Sequence, residues 1–245
     1  MLEPCINQAA GLQALAPQLM PKLVAVVSHG QQQGELPMLW SLCTSWVDMG
    51  QSVIVLDGHK AETDHNPGLW HLLSDTMSHF SADQEAASWT IMPAALGFEQ
   101  LATSGFNSKT VGHLFQNYGI VLLYADATKL TCLLKDSTLT PLLVVAPLKS
   151  SSLSAYQALK ELLLDAHLHP TVANIALPPK TTTAMSSPVQ NLQNCAMAFL
   201  GLKIKPITVS AMAHADGSQG EINRLALQLL ESAVILERQP IKRTH

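Results

Sequence analysis

Charge is scarce in this chain. Asp, Glu, Lys and Arg make up only 13% of its 245 residues, about half the usual share of a soluble domain. The formal net charge is -4 and the pI is about 6.2, so no basic patch marks a nucleic-acid partner. Long apolar runs are missing too. No stretch reaches the ~18 residues that a membrane helix requires, and Leu2-Glu3-Pro4-Cys5 lacks the basic, then apolar, start of a secretory signal. Paired cysteines are absent: Cys5, Cys43, Cys132 and Cys195 are scattered, with no CxxC. Lone cysteines of this kind read as small buried hydrophobes. The ten histidines contain no HExxH. His59, His65 and His71 recur every six residues, a poor spacing for ligands on one helix face. A metal site is therefore not expected, and nothing local supports a Cys–His pair.

What is present is hydrophobic: 47% of the residues, with a mean hydropathy of +0.19. The length suffices for one α/β domain with a sizeable core. Sparse charge on such a chain suggests a surface partly covered by a partner. Residues 1–20 read as a tail, with a helical turn around Ala9–Leu15, and Pro17 and Pro21 separate it from a domain at 21–238. Residues 239–245 form a short basic tail.

Expected strands are Lys22–Val27, Ser52–Leu56, Trp89–Met92, Ile120–Tyr124, Leu142–Val145, Val172–Ala176 and Ile204–Val209. Expected helices begin near Leu36, closed by Gly50, and occupy 67–80, 108–117, 154–167, 190–200 and 221–236. Pro178–Thr183 reads as a loop. Alternating strands and helices imply a mostly parallel sheet covered on both faces.

The stretch from Lys22 to His59 has the order strand, loop, helix, strand, with the loop at Ser28–Glu35. A phosphate-binding loop in this place needs glycines to bring backbone N–H groups to the phosphates, a lysine to pair with them, and Ser or Thr for Mg²⁺. Gly30 and Gly34 are present. Glu35 stands where the lysine would be and Leu36 where the hydroxyl would be. A carboxylate repels a triphosphate, and leucine cannot ligate a hard cation.

This segment resembles the MinD/ParA class of deviant P-loop ATPases, and within it the regulator of flagellar number and placement. Laid on that pattern, the signature lysine falls on Gly30, the next two glycines on Gln31 and Gln32, and Gly34 matches. The similarity continues through Leu42, Gly50, Val53 and Leu56-Asp57, with the family's second acid falling on His59. Weaker likenesses follow at Pro93-Ala94, Leu142–Val145 with Ala155-Tyr156 and Lys160, at Phe199–Gly201, and at Asn174, which matches an asparagine near the adenine. At the N-terminus, Asn7-Gln8-Ala9-Ala10-Gly11-Leu12-Gln13 resembles the family's activator motif, with both charges of that motif lost.

The resemblance implies a P-loop NTPase-like (Rossmann-like) fold and a cytoplasmic protein, at most peripheral at the inner membrane or cell pole. Arg238, Lys242 and Arg243 are a faint echo of a membrane-touching end. It also implies a partner: Gln8, Ala9 and Leu12 would contact an SRP-type flagellar GTPase or flagellar assembly proteins. The family dimerises around ATP, so a dimer with itself or with an intact paralogue is implied as well. The family's catalytic positions fall on Asp57, beside Mg²⁺ and water, and on Tyr124 in place of a strand-end aspartate, with Asp126 two residues beyond. Joint replacement at Gly30, Glu35, Leu36 and Tyr124 argues against hydrolysis and against a resident cofactor. The alternative is an ATP-binding switch with an unorthodox loop, in which Lys22 or Lys60 reaches the phosphates and Asp126 replaces the lost acid.

Overall fold

The structure, a computed structural model, describes residues 20–28, 35–74, 88–148, 150–176, 187–210 and 218–237. Its sheet has eight strands: β1 (Lys22–Val27), β2 (Val53–Asp57), β3 (Trp89–Pro93), β4 (Ile120–Ala125), β5 (Leu142–Val145), β6 (Thr171–Ala176), β7 (Ile207–Ser210) and β8 (Val234–Ile235). The order is β3-β2-β4-β1-β5-β6-β7, all parallel, with β8 added antiparallel to β1. Every residue of β2, β4 and β5 is buried, which is why these strands read as unbroken apolar runs rather than alternating ones.

The helices are α1 (Glu35–Asp48), α2 (Leu69–Ser74), α3 (Ala95–Ser104), α4 (Ser108–Leu114), α5 (Ala127–Leu134), α6 (Ser151–Asp165), α7 (Pro188–Leu200) and α8 (Ser218–Glu231). Two apolar layers result. On one face α1 and α8 bury Leu42, Trp46, Leu225 and Leu229 against Val24, Val55, Leu122 and Val144. On the other, α3, α5, α6 and α7 cover Val27, Leu56, Leu123 and Leu143. Trp46 also locks α1 to α8, its indole N–H donating to the Ala226 carbonyl at 3.1 Å.

Several boundaries differ from the sequence reading. The last helix stops at Glu231 instead of reaching Leu236, because β5 pairs only with Val26 and Val27 and leaves the first half of β1 an open edge. Val234 and Ile235 close that edge opposite Leu23 and Lys22. α3 and α5 were not expected at all. α3 has no side-chain cap from its N-cap residue, Ala94; its cap comes from Glu62, far away in sequence. α5 is capped by Asp126, which accepts from the Lys129 N–H at 2.8 Å. Asp126 is thus a capping residue, with its other oxygen 3.9 Å from the Lys129 ammonium. Gly50 (φ +79°) and Gly201 (φ +62°) follow α1 and α7 in the left-handed region that glycine tolerates.

Candidate functional site

The chain reverses direction across the sheet at β1, leaving it towards β2 and later crossing back to β5. Ligands of open α/β sheets lie at the C-terminal ends of strands around such a switch point. Ser28 and Tyr124 stand there, at the ends of β1 and β4, and Glu35 opens α1 just beyond. Glu35 is 1% exposed. One of its oxygens accepts from the Ser28 hydroxyl at 2.9 Å and from the Tyr124 phenol at 3.0 Å. A buried carboxylate is tolerable only with such donors, and its place in the first turn of a helix adds the favourable end of the helix dipole.

Tyr124 is held as a donor. Burial raises its pKa well above the ordinary phenol value, the Ser28 hydrogen bond opposes that, and the neighbouring Glu35 charge raises it further. The His59 ring meets the Tyr124 ring edge-on, centroids 5.2 Å apart. Asp57 is Tyr124's direct neighbour in the β2–β4 register. Its Oδ1 accepts from the His59 N–H at 3.0 Å and its Oδ2 lies 3.9 Å from the Lys60 ammonium. The Gly58 N–H donates to the Tyr124 carbonyl at 2.8 Å, and the Gly58 carbonyl accepts from the Lys129 ammonium at 2.6 Å. The loop after β2 is therefore bound to β4 and to α5.

Of the residues singled out in the sequence, Glu35, Tyr124 and Asp57 come together. Leu36 follows Glu35 and is 43% exposed. Asn174 is half-buried on β6, separated from β1 by β5. Gly30 and Gly34, and Gln8, Ala9 and Leu12, lie outside the described residues. Lys22 sits at the start of β1, roughly 16 Å from the strand's other end at about 3.3 Å per residue, and its ammonium contacts the Leu230 carbonyl at 3.4 Å. It does not reach this site. Ser28 was missed: the only signal was a hydroxyl directly after the first strand.

Glu62 was missed as well. It is 5% exposed and accepts three backbone N–H groups, from Trp70 at 3.1 Å, Leu96 at 2.8 Å and Gly97 at 2.9 Å. One carboxylate thereby satisfies the first turns of both α2 and α3. No local pattern announces a cap that acts over more than thirty residues.

A nucleotide with Mg²⁺ is what this fold position takes in P-loop proteins, and the described residues fit it poorly. The buried anion here is the protein's own, hydroxyls of Ser28 and Tyr124 are among its donors, and Asp57 already accepts from the His59 N–H and faces Lys60. Among the described residues no group of three His, Cys, Asp or Glu side chains could hold a metal ion. None of the described helices is long and apolar enough to cross a membrane.

No family model matches the sequence, and no curated protein matches it. Solved structures do. The MinD cell division protein of Aquifex aeolicus, in its complex with MinC, superposes with a TM-score of 0.58 at 14% identity, covering 89% of this chain and 98% of that one. The structural neighbours are MinD/ParA-type P-loop proteins. MinD of the same organism on its own gives 0.52 at 14% identity over 89% and 100% of the two chains. Cobyrinic acid a,c-diamide synthase from Mycobacterium smegmatis gives 0.55 at 12% identity over 90% and 100%. At these identities the likeness to MinD is one of fold: a mostly parallel sheet with helices on both faces.

Proposed function

We propose that this chain is a non-hydrolysing MinD-like regulator of flagellar number and placement, or of flagellar assembly, acting through protein–protein contact. One observation carries the reading. At the end of β1, where a MinD-type ATPase gathers positive charge around phosphate, this chain buries a carboxylate, Glu35, between Ser28 and Tyr124. Bringing in a triphosphate would require expelling that carboxylate or burying like charges together, and the latter is repulsive by several kcal/mol in a low-dielectric site. The flagellar part of the reading rests on the N-terminal Gln8, Ala9 and Leu12 pattern, whose partner is an SRP-type flagellar GTPase.

Calorimetric titration with Mg·ATP and Mg·ADP tests the first part. No heat is expected up to about 1 mM nucleotide, and a dissociation constant near 1 μM, about 8 kcal/mol of binding, would overturn the reading. A pull-down with the flagellar GTPase tests the second part: deleting residues 1–20 abolishes capture, and unchanged capture counts against the tail.

A second reading, an ATP-binding switch with an unorthodox loop, is favoured by two lysines at the same end of the sheet. Lys60 faces Asp57 and Lys129 holds the Gly58 carbonyl. If nucleotide heat is found, its loss in Lys60→Ala or Lys129→Ala assigns the phosphate contact to them.

A further inference from the structure

We propose that Glu35 is a tethered ligand. Ser28, Tyr124 and the first turn of α1 form an anion cradle filled by the chain's own carboxylate, and this cradle accepts a free monocarboxylate once that side chain is removed. The inference rests on the reading that this end of β1 is closed to triphosphate. It adds what the cradle recognises and what its occupancy controls.

The cradle does not depend on Glu35 for its shape. The Ser28 N–H donates to the Ala125 carbonyl at 2.8 Å, which fixes Ser28 to the end of β4. Tyr124 is held between Val26 of β1 and Asp57 of β2 by the strand register. Ser28 and Tyr124 are 1% and 2% exposed, and their hydroxyls converge on one Glu35 oxygen at 2.9 and 3.0 Å. α1 is anchored separately. Leu42, Cys43 and Trp46 are fully buried, and the Trp46 indole N–H and the Ser45 hydroxyl hold α8 through the Ala226 carbonyl and the Asn223 side chain. Truncating Glu35 therefore removes the occupant and leaves the donors in place.

The surroundings select the ligand. Two hydroxyl donors at the start of a helix favour an anion. Asp57 stands beside Tyr124 in the sheet, and its charge disfavours an anion that carries more than one of its own. A small monocarboxylate meets both conditions better than phosphate does.

Occupancy is linked to the loop after β2 through Tyr124. Its hydroxyl donates to Glu35, and its carbonyl accepts the Gly58 N–H at 2.8 Å. The loop is closely packed there, since a Cβ at Gly58 would lie 2.8 Å from the side chains of Ala125 and Phe98. Ligand-ordered loops switch because their ligand leaves. A ligand built into the chain cannot leave, so this loop is kept in its occupied position permanently, as suits a regulator that acts by contact.

Thermal unfolding and hydrogen exchange of Glu35→Ala, with and without sodium acetate, test this. Acetate is expected to raise the variant's midpoint saturably, by about 4 °C at about 100 mM for a dissociation constant of about 10 mM. The wild type, whose cradle is full, is expected to move no more in acetate than in sodium chloride. Amide exchange at Gly58 and His59 is expected to quicken in Glu35→Ala and to slow again in acetate. Adding Tyr124→Phe is expected to weaken acetate binding about tenfold, and inorganic phosphate is expected to stabilise Glu35→Ala less than acetate does. If Glu35→Ala is unfolded on its own, acetate is expected to restore its circular dichroism. The proposal is overturned if acetate stabilises the variant no more than the wild type, if Tyr124→Phe leaves the rescue unchanged, or if the two amides stay fast. It is overturned equally if an unfolded variant is not recovered, or if phosphate outdoes acetate. Each of these failures leaves the closed-site reading standing, whereas nucleotide heat with the wild type counts against that reading itself.

Discussion

The phenol of Tyr124 and the carboxylate of Glu35 share a buried 3.0 Å hydrogen bond across 89 positions of sequence. It fastens the end of a central strand to the first residue of the helix that follows the loop. In Tyr124→Phe the carboxylate keeps the Ser28 hydroxyl but loses this donor. The expected loss is about 1–3 kcal/mol of unfolding free energy, measured by urea denaturation. In a double-mutant cycle with Glu35→Gln the two substitutions should couple by at least about 0.5 kcal/mol; strict additivity would show that the bond contributes nothing.

Alkaline pH should weaken the fold in a defined window. Burial pushes the Cys43 thiol up from 9.0 to about 12 and raises Tyr124 well above its ordinary 10.0. In each case the native state keeps a proton that the unfolded chain gives up, so the stabilisation is complete below the unfolded pKa and is lost as pH rises. Between pH 9 and 12 the thiol alone contributes a slope of at most about 1.4 kcal/mol per pH unit. Denaturation midpoints from pH 8 to 11 should fall, and Cys43→Ala should reduce the slope from pH 9 upward. Tyr124→Phe should reduce it only above pH 10.

Glu62 acts as a clasp on two helices. Glu62→Ala leaves the amides of Trp70, Leu96 and Gly97 without their acceptor, at an expected cost of about 2–4 kcal/mol. Glu62→Gln retains part of the contact and should lose less. Hydrogen exchange at those three amides should accelerate in both variants, whereas an effect spread evenly over the sheet would point to a merely diffuse role.

The strands were legible because a buried parallel strand writes itself as an apolar run, as in Ile120–Tyr124 and Leu142–Val145. α1 was legible through its helical spacing and Gly50. α3 and α5 were not: one is capped by Glu62 from another part of the chain, and the Asp126 that caps the other reads equally as an acid near the end of β4. The candidate site was half legible. Aligning positions marked Glu35 and Tyr124 individually, but nothing local says that their side chains touch or that Ser28 joins them. The end of the last helix was misplaced for a related reason, since only the tertiary vacancy beside β1 explains why Val234 and Ile235 are extended.

That late strand also bears on how the molecule is made. Of the described strands β1 is translated first and lies at the centre of the sheet, yet the Leu236 N–H bonds the Pro21 carbonyl at 2.8 Å and β8 covers the first residues of β1. The centre of the sheet therefore stays unsealed until more than two hundred further residues have been translated. A ribosome stalled before Val234 would hold out a nascent chain with an exposed interior seam, a natural substrate for chaperones. Pro21 and Leu236 are neighbours in space, so the first and last described strands close the sheet side by side.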